Sequence, residues 1–174
     1  MSTDLNLSLR PATTDQFTAL YAILALAGEH MHRALDLSYW HPFPSSDKFI
    51  ARLAERDNYA VYLDDTLVGT FGIGPKPEPY YHEDMSAYWH GPDAQATYFS
   101  TFAILPGYQQ RGIGSWCMQQ ADQIARDGGY DWLRFDAVAL NNKLLTFYSR
   151  LGYERRGLLP VGSVQVMCYE KHLR

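Results

Sequence analysis

A chain of 174 residues with 47% hydrophobic content is long enough to bury one core, and its length predicts a single domain over residues 1–174. A formal net charge of −4 argues against nucleic-acid binding as its main business and suits a cationic partner. The opening Met1-Ser-Thr-Asp-Leu-Asn is no basic-then-apolar leader, and no run of about 18 apolar residues occurs, so the expectation is a cytoplasmic protein with no membrane partner. Cys117 and Cys168 do not form a Cys-x-x-Cys pair, which leaves a disulfide framework or a zinc site without support.

Leu5, Leu7 and Leu9 alternate with polar residues, which predicts a half-buried strand closed by Pro11. Thr13 and Gln16 suit a capping box, and Phe17, Leu20, Tyr21 and Leu24 follow at helical spacing until Gly28. The stretch His30 to Pro44 reads as irregular, and a second helix starts after Ser45-Ser46-Asp47 with Phe49, Ile50 and Leu53 on its buried side. Tyr59–Leu63 and Leu67–Ile73, joined at Asp64-Asp65-Thr66, read as an antiparallel hairpin. A strand is predicted from Thr97 to Leu105, after a long Pro- and Tyr-rich loop that runs from Gly74 to Ala96. Loops of that length in a small domain are usually functional or mobile.

Ile113, Trp116, Cys117, Ala121, Ile124 and Ala125 make one apolar helical stripe that Gly128-Gly129 ends. The rest reads as a strand from Trp132 to Ala139, a helix from Asn142 to Leu151, and closing strands at Tyr153–Gly157 and Val164–Glu170. Helices near the start, a hairpin, then strand–helix–strand–helix indicate an α/β (α+β) fold: a mixed, mostly antiparallel sheet of about six or seven strands flanked by about four helices.

Between the Thr97–Leu105 strand and the amphipathic helix lies Gln109-Gln110-Arg111-Gly112-Ile113-Gly114. A helix start carries unpaired N–H groups and the positive end of the helix dipole, so it attracts anions. Gly112 and Gly114 let that backbone come close to a ligand, and Arg111 adds charge at the rim. No Lys-Ser/Thr pair follows, and Cys117 stands where a dinucleotide fingerprint wants its third glycine. An NTPase or dehydrogenase is therefore disfavoured. Further on, Asn141 sits at a strand-to-helix junction and Tyr148 lies seven residues later, nearly two turns, so both could face one ligand.

Taken together, Leu7 to Thr13, the Gln-x-x-Gly-x-Gly turn from Gln109 to Gly114, and Asn141…Tyr148…Leu151-Gly152-Tyr153 resemble the GNAT superfamily of N-acetyltransferases over nearly the whole chain. The resemblance implies acetyl-CoA as acyl donor, no metal, and transfer of its acetyl group to a primary amine by direct attack in a ternary complex. It also implies cofactor-binding positions at Phe102, Ala103, Ile104, Gln109, Gln110, Arg111, Gly112, Ile113, Gly114, Ser115 and Asn141. The pyrophosphate would rest on amides of the turn, and the backbone of 102–104 would meet the thioester and pantetheine, where an N–H aimed at the carbonyl oxygen steadies developing negative charge. Tyr148 is the implied general acid for the departing thiolate; its ordinary pKa near ~10 keeps the phenol protonated at neutral pH.

Two features depart from the family pattern: Leu144 stands where Ala is frequent, and the Thr97–Leu105 strand offers Ser100 and Thr101 but no Glu. The base is thus left among Asp136, His82, His90 and Asp93, because an amine must be neutral to attack. A catalytically silent acyl-CoA-binding regulatory module is the alternative reading. The acceptor is a small-molecule or peptide amine, and the aromatic loops Tyr39-Trp40-His41 and Tyr80 to His90 would either surround that amine or contact a second copy in a homodimer. His30 and His32 diverge on a helix and make a poor metal pair.

Overall fold

The computed structural model describes residues 5–38 and 40–174, so Tyr39 of the first aromatic loop and residues 1–4 lie outside the described residues. Among the described residues there are seven strands and four α-helices. In chain order they are β1 (Leu7–Pro11), α1 (Phe17–Leu35), α2 (Ser46–Leu53), β2 (Asp57–Leu63), β3 (Thr66–Gly74), β4 (Ala96–Ile104), α3 (Ile113–Asp127), β5 (Trp132–Val138), α4 (Asn142–Arg150), β6 (Glu154–Val161) and β7 (Val164–His172). The strands form one sheet in the order β1-β2-β3-β4-β5-β7-β6. The β1–β2, β5–β7 and β6–β7 ladders are antiparallel and β4–β5 is parallel, the mixed, mostly antiparallel α/β arrangement read from the sequence.

Two compact units divide the chain: residues 1–72 with 101–117, and residues 73–100 with 118–174. In the first, Phe17, Leu20 and Leu24 of α1 join Phe49 and Leu53 of α2 and Ala60 and Ala103 of the strands in one apolar core. Each fully buried Leu or Phe side chain there contributes roughly 2 kcal/mol through removal from water. The Thr13 amide donates to Gln16 Oε1 at 3.0 Å, so the capping pair opens the chain's entry into α1 as its spacing predicts.

Gly28, expected to stop α1, lies inside it, and the helix continues to Leu35. The glycine serves packing instead. A Cβ there would come within 2.9 Å of both Trp40 Cβ and Trp40 O, so the missing side chain makes room for the returning segment. The helix ends at Asp36, whose φ of 53° is left-handed, and this moves the start of the irregular stretch from His30 to Asp36. β6 is also longer than expected, reaching Val161. It is the last strand of the sheet, where Pro160 needs no donor, and a bulge at Gly157 (φ 136°) lets pairing resume beyond it.

The second unit is centred on Phe135 of β5. Its ring lies 5.7 Å from Phe99, 4.6 Å from Tyr148, 4.9 Å from Tyr153 and 5.3 Å from Tyr169. On the other strand face, Arg134 stands opposite Glu170 and Asp136 opposite Cys168 in the β5–β7 register, because side chains alternate along a strand.

Candidate active site

In the first unit, the backbone of the glycine turn has the shape its sequence suggests. Gln110 (φ 62°) and Gly112 (φ 84°) are left-handed, the alternation that gathers consecutive N–H groups into an anion-holding concavity. Nothing lies within 4 Å of the place where a Gly112 Cβ would stand, so that side of the turn is open. α3 begins at Ile113; Ile113 itself is buried and the Trp116 amide donates to Gly112 O at 3.1 Å. Arg111 places its guanidinium 5.3 Å from the Tyr108 ring centre.

The turn is tied to the strand before it. Gln109 Nε2 donates to Ile104 O at 3.0 Å, and the Leu105 amide donates to Val68 O at 2.8 Å. A Cβ on Gly69 would collide with Ile104 Cδ1 (2.5 Å) and Ala103 O (2.9 Å), so glycine at 69 lets β3 and the end of β4 close up. An isolated glycine within a strand pattern signals such close approach. Thr101 is left-handed (φ 50°) in mid-strand, an irregularity with no sequence signature. The β4–β5 ladder pairs only Ala96–Tyr98 with Trp132–Arg134, although β4 continues to Ile104.

In the second unit, Asn141 is the N-cap of α4: its Oδ1 accepts from the Leu144 amide at 3.1 Å. Tyr148 is buried within the Phe135 cluster. Burial, then Tyr169 and Asp136, pushes its pKa up, so the phenol keeps its proton at neutral pH. Its neighbours' hydroxyls are engaged, Tyr153 on Asp122 Oδ1 (2.6 Å) and Tyr169 on Leu145 O (3.0 Å). Among the described residues, the Tyr148 hydroxyl has no hydrogen-bond partner.

The four acid–base candidates have different surroundings. Asp93 pairs with Arg134 Nη1 at 2.6 Å, and the His90 ring lies against Arg156 Nη2. His82 is exposed. Asp136, partly exposed on β5, accepts on Oδ2 from Tyr80 Oη at 2.8 Å and Tyr81 Oη at 2.7 Å. No local pattern announces this three-residue contact, since 56 and 55 positions separate Asp136 from the two adjacent tyrosines.

The same contact holds down one end of the long loop. Its other end is held where the His90 and Gly91 amides donate to Glu170 at 2.9 and 3.1 Å and Arg134 Nη2 donates to Gly91 O. Gly91 is required by space: a Cβ would fall within 2.4 Å of the Trp132 ring. The loop is therefore fastened rather than loose. No helix among the described residues is long and apolar enough to cross a membrane, and no three His, Cys, Asp or Glu among them gather as a metal site.

Comparisons with known proteins bear on the fold and on the family separately. No curated relative matches the sequence. An acetyltransferase of the GNAT family from Streptococcus agalactiae superposes with a TM-score of 0.79 at 16% identity, covering 97% of this chain and 96% of that one. An aminoglycoside acetyltransferase solved with coenzyme A gives 0.72 at 13% identity, covering 96% and 95%. The Salmonella typhimurium protein yncA, solved with its cofactor acetyl-CoA, gives 0.66 at 13% identity, covering 97% and 94%. At these identities the likeness establishes the fold. The family model for acetyltransferases of the GNAT family matches residues 17–153, and the chain accordingly belongs to that family.

Proposed function

We infer that this protein, acting as one domain over residues 1–174, transfers an acetyl group from acetyl-CoA to a primary amine by direct attack in a ternary complex. The observation that carries the reading is the turn at 110–114: two left-handed residues two positions apart, open space beside Gly112, and a 15-residue helix starting at once. That is a fit for a diphosphate, because main-chain amides and the helix dipole both favour negative charge there. Acetyl-CoA supplies the activated acetyl thioester.

The protein's own groups have distinct tasks in this reading. Amides of Gln110 to Gly114, with Gln109, Arg111 and Ser115 beside them, hold the diphosphate. Gln109 also fixes the turn to the end of β4 through Ile104 O, and the backbone of Phe102, Ala103 and Ile104 orients the pantetheine and the acyl carbonyl. Asn141 contacts the cofactor from the start of α4 while its Oδ1 caps that helix.

Tyr148 acts as proton donor to the leaving sulfur. Its raised pKa keeps the proton in place but makes the phenol a weak acid, so transfer is best coupled to the proton that the attacking nitrogen releases. The acidic balance of the chain, −4, favours a cationic acceptor in the cytoplasm. The test is thiol release from acetyl-CoA with a panel of amines. Acceptor-dependent release is expected; tight acetyl-CoA binding without transfer to any amine would favour the silent regulatory module instead.

A further inference from the structure

Three side-chain oxygens of the first unit are buried with no hydrogen-bond partner among the described residues: Asn58 Oδ1 on β2, Thr70 Oγ1 on β3 and Thr101 Oγ1 on β4. Asn58 and Thr70 are only 4% and 1% exposed. The Asn58 amide cannot answer by turning over. Its Nδ2 donates to Leu53 O at 2.6 Å and to Arg56 O at 2.9 Å, which uses both hydrogens and fixes Oδ1 as an acceptor that needs a donor.

The oxygens converge beside Gly72, on strands that are neighbours in the sheet. A Cβ on Gly72 would stand 2.8 Å from Thr101 Oγ1 and 3.2 Å from Asn58 Oδ1, so both oxygens face one small space, and neither bonds the other. Thr70, two residues before Gly72 on β3, lies on the same strand face. Leu53, Ala60 and Ala103 belong to the apolar core nearby, where an unanswered polar group costs most. A water donates two hydrogens and accepts from a hydroxyl, so one molecule can serve all three oxygens; buried waters gather about three such partners.

Thr101 is also left-handed (φ 50°), a conformation that a β-branched residue keeps only where its surroundings over-determine it. The next three residues are Phe102, Ala103 and Ile104, whose backbone the acetyltransferase reading gives to the pantetheine and the acyl carbonyl. Fixing the Thr101 hydroxyl therefore fixes the direction of those amides.

We propose that Asn58, Thr70 and Thr101 enclose a bound water, and that Thr101 is through it a positioning residue, holding the backbone of 102–104 in its working conformation. The positioning role rests on the acetyltransferase reading; the water site does not. A crystal structure of the full-length protein with coenzyme A, at a resolution that reveals ordered water, is expected to show one water within about 3.2 Å of Asn58 Oδ1 and Thr101 Oγ1. A dry site, or a direct bond between these two side chains, overturns the proposal.

Kinetics test the positioning role. Thr101→Val removes the hydroxyl and keeps the branched shape, and Gly72→Ala puts a methyl into the space the oxygens face. Each is expected to lower turnover with a reactive amine roughly tenfold or more, while acetyl-CoA binding by calorimetry changes less than about twofold. Thr101→Ser, which restores the hydroxyl, is expected to keep turnover within about twofold of native. A merely structural threonine would lower the thermal midpoint of Thr101→Val and leave turnover of the folded protein unchanged, and that result overturns the positioning role. If both variants fail to fold, the density of the native protein decides. Thiol release by a native protein with a dry site removes this proposal and leaves the acetyltransferase reading intact. A water in place without thiol release from any amine keeps the water site and removes that reading, and the positioning role with it.

Discussion

Arg134 and Glu170 face each other across the β5–β7 ladder, Nε to Oε1 at 3.0 Å, with both side chains buried. Glu170 also receives the His90 and Gly91 amides, and Arg134 also reaches Tyr98 Oη at 3.3 Å. One ion pair thus fastens the end of the long loop to the sheet. Its stabilising value lies less in the charge attraction than in giving these buried donors and acceptors their partners.

Glu170→Ala strips a counter-ion from a fully buried guanidinium and partners from two amides. Urea unfolding is expected to show a loss of about 3–5 kcal/mol. A loss under about 1 kcal/mol would mean that the network is solvated in solution.

Gly112→Leu tests the turn through its backbone. Space is open beside Gly112, so steric collision is not the issue; its φ of 84° is. A side chain there costs about 1–2 kcal/mol in that conformation. The turn relaxes, the amides diverge, and acetyl-CoA binding measured by calorimetry is expected to weaken about tenfold, the equivalent of about 1.4 kcal/mol. An unchanged dissociation constant would remove the turn from the binding site.

Tyr148→Phe removes, from a buried residue, a hydroxyl with no partner among the described residues. No internal hydrogen bond is broken, so the thermal midpoint should move little, within about 1 kcal/mol of stability. Turnover with a reactive amine is expected to fall about a hundredfold, the usual worth of a positioned proton donor. Unchanged turnover would make the phenol a packing residue only.

The two buried thiols give a stability signature in alkali. Burial pushes Cys117 and Cys168 up to about 12 from an ordinary value of 9.0. Between those values the unfolded chain loses thiol protons that the folded chain retains, so stability present below pH 9.0 declines as pH rises toward about 12. The limiting slope is about 1.4 kcal/mol per pH unit for each thiol, and the raised tyrosines Tyr148 and Tyr153 add the same sign above their ordinary 10.0. Urea unfolding at successive pH values checks this, and Cys168→Ala should flatten the decline.

The element order was legible because it is written in local patterns. Apolar periodicity marked α1, α2 and α3, alternation marked β1, and Thr13 with Gln16 announced the approach to α1. The turn was legible for the same reason: Gly112 and its neighbours act through backbone conformation, which nearby residues govern. Gly28 misled, because a glycine that ends a helix and one that admits Trp40 against it look alike in one dimension.

What folding alone decided is pairing at a distance. The left-handed Thr101, the meeting of Tyr80 and Tyr81 on Asp136, and the Arg134–Glu170 pair all depend on which strand lies beside which. Nothing in the spacing of a carboxylate and two phenols foretells a shared hydrogen bond. Sheet register sets Asp136 on the strand face where the loop returns, and burial then makes its hydrogen bonds stronger than they would be in water. The sequence therefore determined a family and a glycine turn at a helix start; the tertiary structure decided which of four candidate acid–base residues receives two tyrosine hydroxyls.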